Sequence, residues 1–173
     1  MSQVRERLLG AAAELIAEKG WGAVSTRVLA ERAGVGSGVV HYHFDSTQAV
    51  LVEAAVGALR AALAGLPDLP AAAEPEQVLD ALLAALDEAG GQELFTETFL
   101  AATRNDDLRR AVAAVLADFR RVLAAWLADR GVPSPEATAA VLAASVDGLL
   151  LHRALDPGLT RAVVVPVLGR VLR

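Results

Sequence analysis

Apolar residues recur along this chain every third or fourth position, in blocks separated by Gly, Pro, Asn, Asp and Ser. That spacing stacks them on one face of an amphipathic helix. Val4, Leu8, Ala12, Leu15 and Ile16 mark a helix from residue 3 to about 19, ended by Gly20. Asp45-Ser46 cap another that runs to about Leu63. Gly65-Leu66-Pro67-Asp68-Leu69-Pro70 is the clearest break in the chain. Pro75, suited to a first helical turn, opens a helix to Ala89 that carries Val78, Leu79, Leu82, Leu83 and Leu86 and ends at Gly90-Gly91. Gln92 to Thr103 follows, with Phe95 and Phe99 on a shared face. Asn105-Asp106 cap a long helix from about Asp107 to Arg130, apolar at Val112, Val115, Leu116, Phe119, Leu123, Trp126 and Leu127. Ser134 as N-cap and Pro135 at the first position start a helix to Leu155. Asp156-Pro157-Gly158 breaks it, and Thr160 to Leu172 is the last helix, where Pro166 predicts a kink or a late start. No two-residue alternation appears, so the pattern predicts an all-α fold of about nine helices.

One stretch is built on shorter units. Ser25 to Phe44 reads STRVLAERAGVGSGVVHYHF. Ser25 and Thr26 are N-cap residue types, and Val28, Leu29 and Ala30 behind them are candidates for a buried face. Gly34 stands where a helix ending in the left-handed conformation wants no Cβ. Val35 plugs the corner, and Gly36-Ser37-Gly38 open a second helix carrying Val39, Val40, His41, Tyr42, His43 and Phe44. Two helices joined by a short glycine turn form a helix-turn-helix, whose second helix can enter a major groove.

From Arg5 to Glu53 the chain resembles the DNA-binding domain of TetR-family transcriptional regulators with no offset. The matching features are Glu18-Lys19-Gly20-Trp21, the Thr26-x-x-x-Ala30 spacing, Ala33-Gly34-Val35, Gly38 and Tyr42-His43-Phe44. The resemblance implies a helix-turn-helix head over residues 1–46 and a helical effector-binding and dimerisation domain over residues 47–173. It gives Arg27 a base or phosphate contact, Tyr42 a phosphate or sugar contact, and His43 a phosphate contact. Three positions depart from the family's pattern. His41 replaces a tyrosine, Gly36 a serine, and Thr47 a phosphate-pairing lysine. The full set of candidate DNA contacts is Ser25, Thr26, Arg27, Ser37, Gly38, Val39, His41, Tyr42, His43 and Thr47. Ser37 and Val39 are the short side chains, suited to a base or phosphate hydrogen bond and to a thymine methyl.

Composition narrows the alternatives. Hydrophobic content of 54% in 173 residues excludes a disordered chain, and the many Ala and Leu residues suit closely packed helices. The absence of cysteine excludes disulfides and thiolate metal sites. Neither a signal peptide nor an apolar run of the roughly 18 to 20 residues a membrane span needs is visible, so the cytoplasm is the expected compartment. The net charge of −5 is awkward for a DNA binder until it is located. Through residue 52 five basic residues face five acidic ones, so the acidity belongs to the remainder. A neutral head on an acidic body is compatible with binding DNA, but provides no basic stripe.

Candidate chemistry beyond the head is sparse. His41-x-His43-x-Asp45 has histidines two apart, which on a helix diverge by about 200°, so no metal is expected there. His152 on an Ala/Leu-rich helix reads as a core or interface histidine. No nucleophile–base pair, phosphate-cradling loop or cofactor motif is present, and neither catalysis nor a cofactor is expected. A recognition helix reads only a few base pairs, so two copies on a pseudo-palindromic operator are implied. The resemblance implies a homodimer face on the last two helices, at Ala140, Ala143, Ala144, Asp147, Leu151, Val164, Val167, Leu168 and Val171; Asp147-Gly148-Leu149-Leu150 resembles a segment common in such domains. The expected lining of a small-molecule effector site is Leu82, Leu86, Phe95, Thr98, Phe99, Phe119 and Trp126, with Thr103 or Arg104 as further polar contacts. The function expected is a ligand-responsive repressor; the alternative is a small-molecule-binding or enzyme-like helical module that has lost DNA binding. A decayed head would carry acids or bulky apolar groups at 27, 37 to 43 and 47, and this one does not.

Overall fold

The computed structural model describes residues 3–64, 73–88 and 91–171, without the side chain of Val171. The predicted break at 65–70 and the helix ends at Ala89, Gly90 and Leu172 lie outside the described residues. Nine α-helices and one 3₁₀ turn are present among the described residues, and no strand. They are α1 (Gln3–Lys19), α2 (Thr26–Arg32), α3 (Ser37–His43), α4 (Thr47–Leu63), α5 (Pro75–Glu88), α6 (Gly91–Ala102), α7 (Asp106–Ala128), α8 (Pro135–Arg153) and α9 (Arg161–Val171). The 3₁₀ turn is Trp21–Ala23. No described helix is long and apolar enough to cross a membrane.

The helices close over two apolar cores. The first gathers Leu8, Leu15 and Ile16 of α1, Leu29 of α2, Val40 of α3 and Phe44. Burying a side chain of this size contributes roughly 1.5–3 kcal/mol. These residues alone leave the core open, and it draws on later elements. Val50, Leu51, Ala54 and Ala55 from the first half of α4 complete one side, and Leu94 of α6 completes another. The second core begins where the first stops, at Val56 and Leu59 of α4, and takes in the apolar faces of α5, α7 and α8. Two elements therefore serve both cores. α4 changes sides halfway along its length. α6 does so between adjacent residues, with Leu94 in the first core and Phe95 in the second. Trp21, half-buried, packs against both.

Several boundaries differ from the sequence expectation. Gly91 opens α6 rather than ending α5. α7 stops at Ala128 and α8 at Arg153, each two residues before the predicted end. Ser134 occupies the N-cap of α8 at φ 50°, and in that left-handed conformation its side chain makes no cap bond. The Ser134 carbonyl accepts the Thr138 amide at 2.9 Å, and the Thr138 hydroxyl donates to the carbonyl of Pro133 at 3.1 Å. Pro166 does not delay α9, which starts at Arg161 and holds the proline in its interior. An exposed proline there removes one backbone donor, while Val165 beside it stays buried in the second core.

Candidate nucleic-acid interface

Local capping sets the corner. Ser25 accepts the Val28 amide at 3.4 Å and Ser46 accepts that of Ala49 at 3.1 Å, so α2 and α4 each begin at a defined residue. Gly34 takes φ +66°, the left-handed turn that swings the chain from α2 into α3. Val40 is fully buried and Phe44 nearly so, which roots α3 at its middle and at its carboxyl end. At about 100° per residue, Ser37, Gly38, His41 and Tyr42 fall within an arc of about 140° that excludes Val40. All four are exposed, Tyr42 by 84%. Val39 borders that arc and His43 lies across the helix from its centre; both are half-buried, and the His43 ring meets Tyr42 edge-on at 5.0 Å.

Arg27, in the first turn of α2, is exposed and has no ion pair among the described residues. Two other basic residues of the head are engaged. Arg5 binds both carboxylate oxygens of Glu53, one at 2.7 Å, and its guanidinium lies 4.4 Å over the Phe44 ring. Arg32 bridges Glu14 at 3.1 Å and Glu18 at 2.6 Å. The bond from Arg32 holds the Glu18 carboxyl below its usual range, as that from Arg5 does for Glu53. Pairing thus engages Arg5 and Arg32, whereas Arg7, Lys19 and Arg27 are exposed and have no ion pair among the described residues. Thr26 is half-buried, and its hydroxyl meets that of Thr47 at 2.6 Å. Ser25 is exposed.

A contact that the sequence did not signal joins the head to the body. The Trp21 amide donates to the Glu97 carboxylate of α6 at 3.1 Å. Gly20 turns there at φ +81°, and the Glu97 oxygen lies 3.1 Å from where a Cβ would stand. Neither residue carries a motif that could have revealed the pairing, because they are distant in sequence.

The side chains expected to bind an effector separate into two groups. Leu82, Leu86, Phe95, Thr98, Phe119 and Trp126 are buried; five of them pack in the second core and the Thr98 hydroxyl donates to the Leu94 carbonyl at 2.7 Å. The Trp126 indole N–H is buried without a hydrogen-bond partner among the described residues, and the Arg130 guanidinium lies 3.8 Å over the ring. Phe99 is half-buried and lines a cleft of about 280 Å³ between α6 and α8, together with Leu100, Asp147, Gly148, Leu150 and Leu151. Thr103 and Arg104 are exposed, and the Thr103 hydroxyl donates to the Leu100 carbonyl at 2.7 Å.

The expected dimer residues also divide. Ala143 turns inward to the second core, because it lies on the flank of α8 that faces α7. Ala144, Leu151 and Val167 are exposed, with Val141, Leu155 and Val163 adding to the same apolar surface. Ala140, Asp147, Val164 and Leu168 are half-buried, and the side chain of Val171 is outside the described residues. A second cleft, about 390 Å³, runs between α8 and α9 and is lined by Leu149, Val163, Val164, Val167 and Leu168. His152 also lines it and is exposed, so of the two expected places, core or interface, the core is excluded.

The chain compares directly with known proteins. Residues 8–54 match the family described as bacterial regulatory proteins, tetR family, and residues 70–173 match the tetracyclin repressor-like C-terminal domain. A transcriptional regulator from Rhodococcus sp. Rha1 is 29% identical, with 97% of this chain and 93% of that one covered and a TM-score of 0.84. A protein of Streptomyces coelicolor A3(2) described as a transcriptional regulator is 31% identical over 99% of each chain, TM-score 0.75. The multidrug binding protein EbrR, solved with proflavin, is 28% identical over 99% of this chain and 100% of that one, TM-score 0.66. No curated protein matches the chain. With an outward-facing recognition helix, and with family matches to both its amino-terminal and carboxyl-terminal parts, the chain belongs to the TetR family of transcriptional regulators.

Proposed function

We propose that this protein is a dimeric repressor that reads a pseudo-palindromic operator in the cytoplasm and is released from it by a small molecule. The observation that carries the reading is the exposed arc of α3, Ser37, Gly38, His41 and Tyr42, together with the exposed Arg27 in the first turn of α2. Buried Val40 and Phe44 hold this arc outward, so its polar groups reach a groove without refolding. Arg27 grips a base edge or a phosphate, and Tyr42 and His43 hold the backbone from the far end of the helix. Ser25, Thr26, Val39 and Thr47 frame these contacts.

Two copies must present their α3 helices about 34–36 Å apart to read successive major grooves. The apolar surface of α8 and α9 supports pairing: Ala144, Leu151, Val163 and Val167 are open to water in the single chain. A second copy would bury them in a four-helix contact. A small-molecule effector is supported by the relative solved with proflavin. Differential affinity of that effector for two poses of the chain would move the heads out of register. α4 and α6 suit the coupling, because each contributes to both cores.

A gel shift on the protein's own upstream DNA tests the reading. Tight binding by the native chain, weakened about tenfold or more by Arg27→Ala and by Tyr42→Ala, is the expected result for loss of one such contact per subunit. A native chain that binds no duplex, or variants that bind as well as it does, would refute it.

A further inference from the structure

We propose that the cleft between α6 and α8 is a binding site for a small organic cation, with the Asp147 carboxylate as its counter-charge. The cleft is about 280 Å³, room for a single ring and an ammonium group, and its walls are mostly apolar: Phe99, Leu100 and Leu150, with Leu151 at the rim it shares with the proposed pairing surface. Asp147 is the charged residue of this lining, and Thr96 is the other polar side chain. Gly148 leaves the floor open, with no atom within 4 Å of where a Cβ would stand.

The state of Asp147 is unusual for this chain. Asp80, Asp87, Asp106, Asp107 and Asp118 each have an arginine partner, and Asp45, Asp129 and Asp156, which have none among the described residues, are exposed. Asp147 has no hydrogen bond or ion pair among the described residues, although it is more buried than most of them. Arg120 of α7 acts on it through space only. A carboxylate that has lost part of its water and gained no partner is an incomplete interaction. A cation with an apolar body completes it, restoring the charge pair and burying apolar surface in one event. The Phe99 ring adds a face that attracts positive charge. An anion of the same shape is repelled, and a neutral analogue recovers only the apolar part.

This site names the ligand class for the effector reading, and its use in regulation rests on that reading. Binding itself does not, so it is measured without DNA. The probe is benzyltrimethylammonium, titrated calorimetrically into the full chain, with phenylmethanesulfonate as the anionic counterpart. Expected is saturable binding of the cation, one per chain, and none of the anion. Asp147→Asn should weaken the cation by about tenfold or more, the size of a lost charge-assisted contact, while Asp147→Glu keeps most of the affinity. Amide shifts in the native protein supply a readout that does not depend on the variants folding: the probe should perturb residues 96–100 and 147–151. Failure of the cation to bind, equal binding by cation and anion, equal loss in both variants, or perturbation elsewhere would overturn the site. A chain that fails the gel shift yet passes this titration refutes the regulator reading and leaves the site standing.

Discussion

The hydroxyl oxygens of Thr26 and Thr47 stand 2.6 Å apart and share a hydrogen bond. Each is the first residue of its helix, so the bond ties the start of α2 to the start of α4. Position 47 is where the family resemblance implies a phosphate-pairing lysine. Thr47 turns its polar group inward, to a partner that orients the reading head, and sends no charge toward the DNA.

A measurable consequence is a shallow dependence of operator affinity on salt. Each phosphate neutralised contributes about −0.9 to the slope of log affinity against log salt. Thr47→Lys should therefore steepen the slope by about 0.9 per subunit, at the cost of the bond to Thr26. Operator titrations over a range of salt concentrations would show it, and an unchanged slope would mean that residue 47 does not face the phosphates.

Leu94 belongs by sequence to the effector domain and by packing to the head, where it is fully buried. Leu94→Ala should cost about 2–5 kcal/mol, the usual range for a leucine truncated in a closed core. Hydrogen exchange locates the damage: amides of α1 should lose protection together with those of α6. If only the body loosened, the core would not be shared in the way its contacts describe.

Burial raises the Asp147 carboxyl to about 6, against a smaller opposing effect of Arg120. The folded chain then holds this proton more tightly than the unfolded one, whose carboxyl titrates near 3.9. Stability from this group is present below about pH 4 and lost as pH rises through about 6. Asp147→Asn should melt higher than the native chain at pH 7.5, and the gap should shrink through pH 6 and close near pH 4. A gap independent of pH would assign the gain to packing instead.

Leu151 and Val167 are 47% and 50% exposed, more than apolar side chains of a finished surface need to be. Carboxylates at both, Leu151→Asp with Val167→Asp, should place like charges on the paired face. Sedimentation should then show single chains, and operator binding should fall by about a hundredfold or more as the two heads lose their common frame. A variant that sediments as a dimer would move the interface off α8 and α9.

Much of this was legible in the order of residues. The three- and four-residue recurrence of apolar positions placed the helices, because a helix buries one stripe and its period is fixed by backbone geometry. Ser25, Gly34 and Ser46 announced the corner through local rules of capping and handedness, which act within a few residues. Val40 inside and Tyr42 outside followed from the same period. What the residues' order left undecided was every pairing between distant segments. The Trp21–Glu97 bond, the Thr26–Thr47 tie and the Leu94 plug each depend on how helices pack, and any of several apolar faces could have met. The aromatic residues of α6 and α7 show the limit most clearly. Periodicity marked them as inward but could not separate a cavity wall from a filled core, and packing buried Phe95, Phe119 and Trp126 while leaving Phe99 at a cleft. Asp147 became unusual for the same reason: helix packing, acting over distances that local pattern does not encode, left its carboxylate half-covered and without a hydrogen bond or ion pair among the described residues.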